Sequence, residues 1–222
     1  MPATVRSAAI VGIDAVPVDV QVEELQGLPS VTIVGLPDTA VKEARERITA
    51  ALQNTGLVPP RHRTIVNLAP AHVRKEGPQY DLPIALAFLA ATGQVLRVPD
   101  DMLVVGALNL DGSLQAIPGV FAIAESARRQ GIRSLVVPPG NAAEVRASGL
   151  SVLAPRTVKE LLDHLEERAL LSVVQPSDDA PAAVADTIPD FSAIAEQAHA
   201  KRALEIAAAG GHNILLYGPP GS

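Results

Sequence analysis

At 222 residues and a formal net charge of −6, the chain can form one sizeable domain plus part of another, and it is not globally basic like a dedicated nucleic-acid module. Its composition is 48% hydrophobic but only 2% aromatic, which argues against a sugar cleft or a base-stacking platform. Cysteine is absent, so disulfides, thiolate zinc sites and thiol catalysis are excluded. The N-terminus has too short an apolar run for a signal peptide, and no apolar stretch approaches the roughly 18 residues of a membrane span. The expectation is a cytoplasmic protein without membrane contact.

In chain order, Val16 to Glu23 alternates apolar and polar residues and predicts a half-buried strand, with Pro17 pointing to an edge or a strand start. Ser30 to Val34 predicts another. Asp38 is placed to cap a helix whose Val41, Ala44, Ile48, Ala51 and Leu52 share one face, closed by Gly56. A strand from Arg63 to Leu68 leads through a glycine-containing loop to a helix over 81–92 that is apolar nearly all round and therefore buried. Leu103–Leu110 and Ser113–Ile117 flank Asp111-Gly112, a hairpin signal. A helix over 118–130, a strand over 134–137 and a short helix over 141–147 follow. Thr157 and Glu160 form a capping box that opens a helix to about Leu170.

Composition then shifts. Gln175 to Pro189 is rich in Pro, Ala and Asp without apolar periodicity and reads as a linker. Beyond it, a helix over 194–209 and a strand over 213–217 lead into Gly218-Pro219-Pro220-Gly221-Ser222. This is the entry to a phosphate-binding loop of the form G-x-x-x-x-G-K-[ST], so the sequence is expected to stop inside that motif.

Lys75-Glu76-Gly77-Pro78-Gln79-Tyr80-Asp81 before the buried helix resembles the K-D-G-P-S-A-G loop of Lon-type proteases, with Gln79 where the serine stands. Downstream, Pro118-Gly119-Val120-Phe121 takes the place of the Lon lysine element, with Phe121 at the lysine position. A Ser-Lys dyad needs a hydroxyl and an amine, and these two residues supply neither. Arg61-His62-Arg63 and Arg74-Lys75 are short basic clusters, giving Arg61, Arg63, Arg74 and Lys75 as candidate DNA contacts. The five histidines (His62, His72, His164, His199, His212) lack metal-ligand spacing, and no metal site is expected.

Three stretches together, "AAIVGIDAVPVDVQVEELQGLPSVTIVGLPDTAVKEARERI", "VNLAPAHVRKEGPQYDLPIALAFLAATGQV" and "AHAKRALEIAAAGGHNILLYGPPGS", resemble the YifB/ComM family of Mg-chelatase-like AAA+ ATPases across essentially the whole chain. The resemblance implies an α/β fold of α+β type: a catalytically inactive Lon-like domain with a mixed sheet at 1–171, a linker at 172–189 and the start of an AAA+ module at 190–222. It also implies a hexameric ring acting on DNA, in ComM as branch migration during transformation. ATP and Mg²⁺ would serve the full-length protein, with none expected here, because the motif's lysine and Mg²⁺-binding hydroxyl fall after Ser222. The helix over 197–211 borders the nucleotide in AAA+ relatives. Alternatives are a Lon-type serine peptidase or the motor subunit of a metal chelatase.

Overall fold

The computed structural model describes residues 2–175 and 190–218. The chain divides into two compact units, residues 1–177 and 178–222. The first unit contains β1 (Ala3–Val11), β2 (Asp14–Leu25), β3 (Ser30–Val34), α1 (Thr39–Asn54), β4 (Arg63–Ala69) and α2 (Asp81–Ala91). These are followed by β5 (Met102–Val104), β6 (Ala107–Leu108), β7 (Leu114–Gln115), α3 (Val120–Arg129), β8 (Ser134–Val136), α4 (Ala142–Val145), β9 (Ser151–Leu153) and α5 (Val158–Leu165).

Seven strands form one mixed sheet in the order β3-β4-β2-β1-β5-β8-β9. β2 runs antiparallel to β1 and β4, while the pairs β3–β4, β1–β5, β5–β8 and β8–β9 are parallel. The two halves of the sheet carry different sequence patterns for a physical reason. In β2, Val18, Val20 and Val22 are fully buried while Asp19 and Glu23 are exposed, because one face lies under helices and the other meets water. In β5, β8 and β9 both faces are covered. Met102, Val104, Val136 and Leu153 enter the core that also holds α1 and α2, and Leu103, Leu135 and Val152 enter a second core with α3. Alternation disappears where both faces are buried, which leaves β9 (Ser-Val-Leu) without a signal to read. β1 is hidden for the same reason: Ser7, Ala8 and Ala9 are all buried at the centre of the sheet.

α1 forms as its pattern predicts. Asp38 Oδ1 accepts from Val41 N at 2.8 Å, the five expected apolar residues are the buried ones, and Gly56 follows with φ 75°. α2 is buried from Asp81 to Leu89, and Pro83 is tolerated in its first turn, where backbone N–H groups have no intrahelical acceptor.

Several expectations are corrected. β2 lies inside the sheet; Pro17 is accommodated because the β4 ladder begins only at Asp19. The predicted long hairpin is split. Met102–Val104 joins the main sheet, and only Ala107–Leu108 pairs with Leu114–Gln115. The break follows from Val105 N and Gly106 N turning to the carbonyls of Val136 and Gln79. α5 ends at Leu165, not near Leu170, because Glu167 takes φ 57° and the following amides fold back onto Asp163. In its capping box Thr157 accepts from Glu160 N, but the Glu160 carboxylate reaches Arg156 N, one residue outside the usual partner.

In the second unit the helix, α6 (Ala198–Gly210), begins four residues later than expected, after a short turn at Phe191–Ala193. Residues 213–217 form no strand: they have no ladder partner among the described residues, and Leu215 and Tyr217 are almost fully exposed. A strand needs a neighbour to satisfy its N–H and C=O groups, whatever its composition. Most of the predicted linker, residues 176–189, lies outside the described residues.

One polar interaction ties the first unit together. Arg47 on α1 donates from Nε and Nη2 to the two oxygens of Asp81 at 2.7 and 2.9 Å, and Asp81 Oδ2 also accepts from Leu108 N at 3.2 Å. Asp81 is fully buried, and burial pushes its carboxyl above the usual range against the pull of Arg47. Arg47→Ala would strand this charge and is expected to cost about 3–5 kcal/mol. Asp81→Asn is expected to cost less, about 1–3 kcal/mol, since the remaining guanidinium is partly exposed and can be hydrated. In Arg47→Ala the folded state holds the Asp81 proton more tightly than the unfolded chain does. Its unfolding free energy should therefore fall as pH rises from about 4 to 7. Urea titrations across that range measure both effects; equal costs for the two variants would contradict this account.

Candidate functional site

The loop from Lys75 to Tyr80 is held at both ends. At its start, Lys75 N donates to Leu36 O and Asp38 N to Lys75 O, and Asp38 Oδ2 accepts from Gly77 N at 3.1 Å. One carboxylate thus caps α1 and pins the loop. At its end, a single turn over Pro78–Tyr80 runs directly into α2, where Arg47 grips Asp81. Gly106 N donates to Gln79 O, and Leu82 N to Gly106 O, clipping the loop to the segment after β5.

Gln79 is 5% exposed and lines a cleft of about 430 Å³ with Ile10, Asp38, Glu76, Gly77, Pro78 and Pro118. The second candidate, Phe121, lies on the first turn of α3, 57% exposed, and its backbone N–H donates to Glu144 Oε1 at 3.0 Å. Pro118 of the same element reaches the cleft, whereas Phe121 is not among its lining residues. Gln79 and Phe121 supply neither a nucleophilic hydroxyl nor an amine, so no dyad can be built from them. Beside Gln79, the Tyr80 hydroxyl is fully buried without a hydrogen-bond partner. Burial raises its pKa; the Gln79 amide is near enough to oppose this but not in hydrogen-bonding geometry.

The basic candidates separate. Arg61 and Arg63 are exposed and form no ion pair among the described residues. Arg74 is exposed and pairs with Glu76 at 2.9 Å. Lys75 is fully buried, with Nζ donating to Pro70 O, and burial lowers its pKa. It presents no charge to a phosphate in this conformation. Among the described residues no group of three or more His, Asp or Glu could hold a metal ion. No helix among the described residues is long and apolar enough to cross a membrane.

In the second unit, Phe191, Ile194, Lys201, Leu216 and Tyr217 line a hollow of about 780 Å³ that also includes Gly218. Pro219, Pro220, Gly221 and Ser222 lie outside the described residues. The groups that sequence reasoning missed are Arg47, Asp81, Ile10 and Pro118. Arg47 looked like one of several surface charges on α1, and nothing local distinguishes it.

The structure shows a mixed α/β domain, and comparison with known sequences places the chain in a family. The model described as subunit ChlI of Mg-chelatase matches residues 18–141, and that described as magnesium chelatase, subunit ChlI, matches residues 190–222. The chain belongs to this Mg-chelatase-like family of AAA+ proteins, on the branch that includes YifB and ComM. It is 41% identical to the uncharacterized protein YifB of Escherichia coli over 98% of the chain and 43% of the relative. It is 37% identical to the competence protein ComM of Haemophilus influenzae over 99% of the chain and 44% of the relative. Similarity extends to the Lon protease of Chloroflexus aurantiacus, 27% identical over 71% of the chain and 20% of that protein. The chain therefore spans less than half the length of YifB or ComM.

Peptide hydrolysis provides a direct check on the cleft chemistry. The chain is expected to turn over neither casein nor a fluorogenic peptide. Turnover that co-purifies with the protein and is abolished by a serine-directed inhibitor would overturn the reading of Gln79 and Phe121.

Proposed function

We propose that the chain is the N-terminal part of a hexameric AAA+ ATPase that moves on DNA, with a ComM-like role in processing branched DNA during natural transformation. In this reading a proteolytically inactive Lon-like domain, residues 1–171, serves assembly or the binding of DNA or a partner, and residues 190–222 open the motor. The observation that carries it is the second family match, on residues 190–222, ending in Gly218-Pro219-Pro220-Gly221-Ser222. That segment follows a domain in which the hydrolytic pair is replaced. The similarity to ComM supports the competence role. Exposed Arg61 and Arg63, at the start of β4, are the cations of the first unit best placed for phosphate contact; their side chains have no competing carboxylate among the described residues.

Bound ATP would bring the phosphates on which the loop amides and the motif lysine act. Within Gly218–Ser222 only Gly218, Gly221 and Ser222 carry backbone N–H groups, since Pro219 and Pro220 have none. The charged lysine and the Mg²⁺-binding hydroxyl belong to positions after Ser222. In this reading the hollow beside α6 would border the base.

Calorimetry tests this reading. No ATP binding is expected for the 222-residue chain, and Mg²⁺-dependent binding is expected for the longer protein that completes the loop. Replacement of the motif lysine there by Ala should abolish it. Micromolar affinity in the 222-residue chain, or none in the longer protein, would contradict the assignment.

A further inference from the structure

We propose that the cleft walled by Ile10, Pro78 and Pro118, with the Gln79 carboxamide in its lining, binds an extended peptide segment of neutral or basic character. This rests on the first unit alone and is independent of the ATPase reading.

Gln79 is the first reason. It is more than nine-tenths buried, lines the cleft, and its side chain forms no hydrogen bond to another described residue. Its polar atoms are not among the buried ones left without a partner, so they face the open cleft, where the carboxamide offers both a donor and an acceptor. The complementary ligand group has one of each, as a peptide unit does. Gly77 keeps room for it: its φ is 82°, and a Cβ there would lie 2.9 Å from Gln79 Oε1.

Strand geometry supplies the second reason. β1 pairs with β2 along its whole length, but on its other side the ladder with β5 contains only Arg6 opposite Leu103. The backbone around Ile10 is therefore without a neighbouring strand on that side among the described residues. Ile10 also lines a second recess of about 330 Å³ with Val11, His72, Val73, Arg74 and Glu76. The two hollows share Ile10 and Glu76, so together they form a groove along the strand end. An extended chain laid there would add as a strand, its main chain meeting Ile10 and Gln79 and its side chains falling into the two hollows.

Charge selects the occupant. Asp38 and Glu76 are the carboxylates that line the first hollow, and a carboxylate cannot donate a hydrogen bond. Both Asp38 oxygens are already engaged, by Val41 N and Gly77 N. Arg74 of the second hollow pairs with Glu76, yet no Lys or Arg lines the first hollow and the groove keeps a net negative charge, so a nucleic-acid backbone is disfavoured at this place and a neutral or basic peptide is favoured.

The test is an NMR titration of the ¹⁵N-labelled 222-residue chain, without nucleotide. Three probes are compared: the blocked peptide acetyl-Lys-Val-Ala-Val-Ala-Lys-amide, the same peptide with Glu for Lys, and a short oligothymidylate. The basic peptide is expected to shift the amide resonances of Ile10, Gly77, Gln79 and Gly119 to saturation, and the acidic one to bind roughly tenfold more weakly. Gln79→Ala should weaken the basic peptide roughly tenfold with the melting temperature retained. Glu76→Gln, a change at an exposed side chain, should narrow the gap between the two peptides and keeps the test open if Gln79→Ala fails to fold. Absence of shifts at these residues at millimolar peptide would overturn the proposal. So would unchanged binding by a folded Gln79→Ala, an undiminished gap in Glu76→Gln, or larger shifts with oligothymidylate at the same residues.

Discussion

Asp81 sits at the start of a helix that is buried on nearly every side, and its charge is tolerable there only because Arg47 reaches it through two hydrogen bonds. The contact joins three parts of the chain that local sequence does not connect: the middle of α1, the start of α2 and, through Leu108 N, the β6 hairpin. Gln79 and Tyr80 immediately precede Asp81, so whatever fixes the carboxylate also fixes them. The position of the candidate cleft therefore depends on this pair more directly than on any apolar contact. Asp38 does the matching work at the other end of the loop, holding Gly77 with the oxygen that its helix cap leaves free.

Between these two carboxylates the backbone has little freedom. A glutamine amide lines the cleft, the tyrosine that follows it is fully buried, and the element that carries Phe121 leaves that ring exposed. Phe121 N is taken by Glu144, whose other oxygen accepts from Asn141, and Asn141 in turn holds both backbone groups of Ile117. The start of α3 is thus braced as firmly as the start of α2. A braced cleft is what the proposed binding role requires, with ATP hydrolysis assigned in the same proposal to the other unit.

Legibility in the sequence followed how much each segment depends on its own residues. α1 was readable in full, since its cap, its apolar stripe and its terminating glycine all lie within twenty residues of one another (roughly five turns). β2, β3 and β4 were readable because one face of that half of the sheet meets water and the alternation survives. β1 and β9 were not, because burial on both faces erases the pattern that would reveal them. Residues 213–217 have the composition of a strand, yet no ladder forms where no partner lies beside them.

The sequence by itself determined the α/β class and the family. These depend on residue identity and order alone. Only the tertiary structure decided which charges matter. Arg47 and Lys75 look alike in the sequence as basic residues near loops or on a helix face. One is spent on a buried carboxylate and the other on a backbone carbonyl, leaving Arg61 and Arg63 exposed. The same holds for the cleft, whose walls come from β1, the α1 cap, the loop before α2 and the turn before α3. A charge's worth depends on what surrounds it, and those surroundings come from segments far apart in the chain.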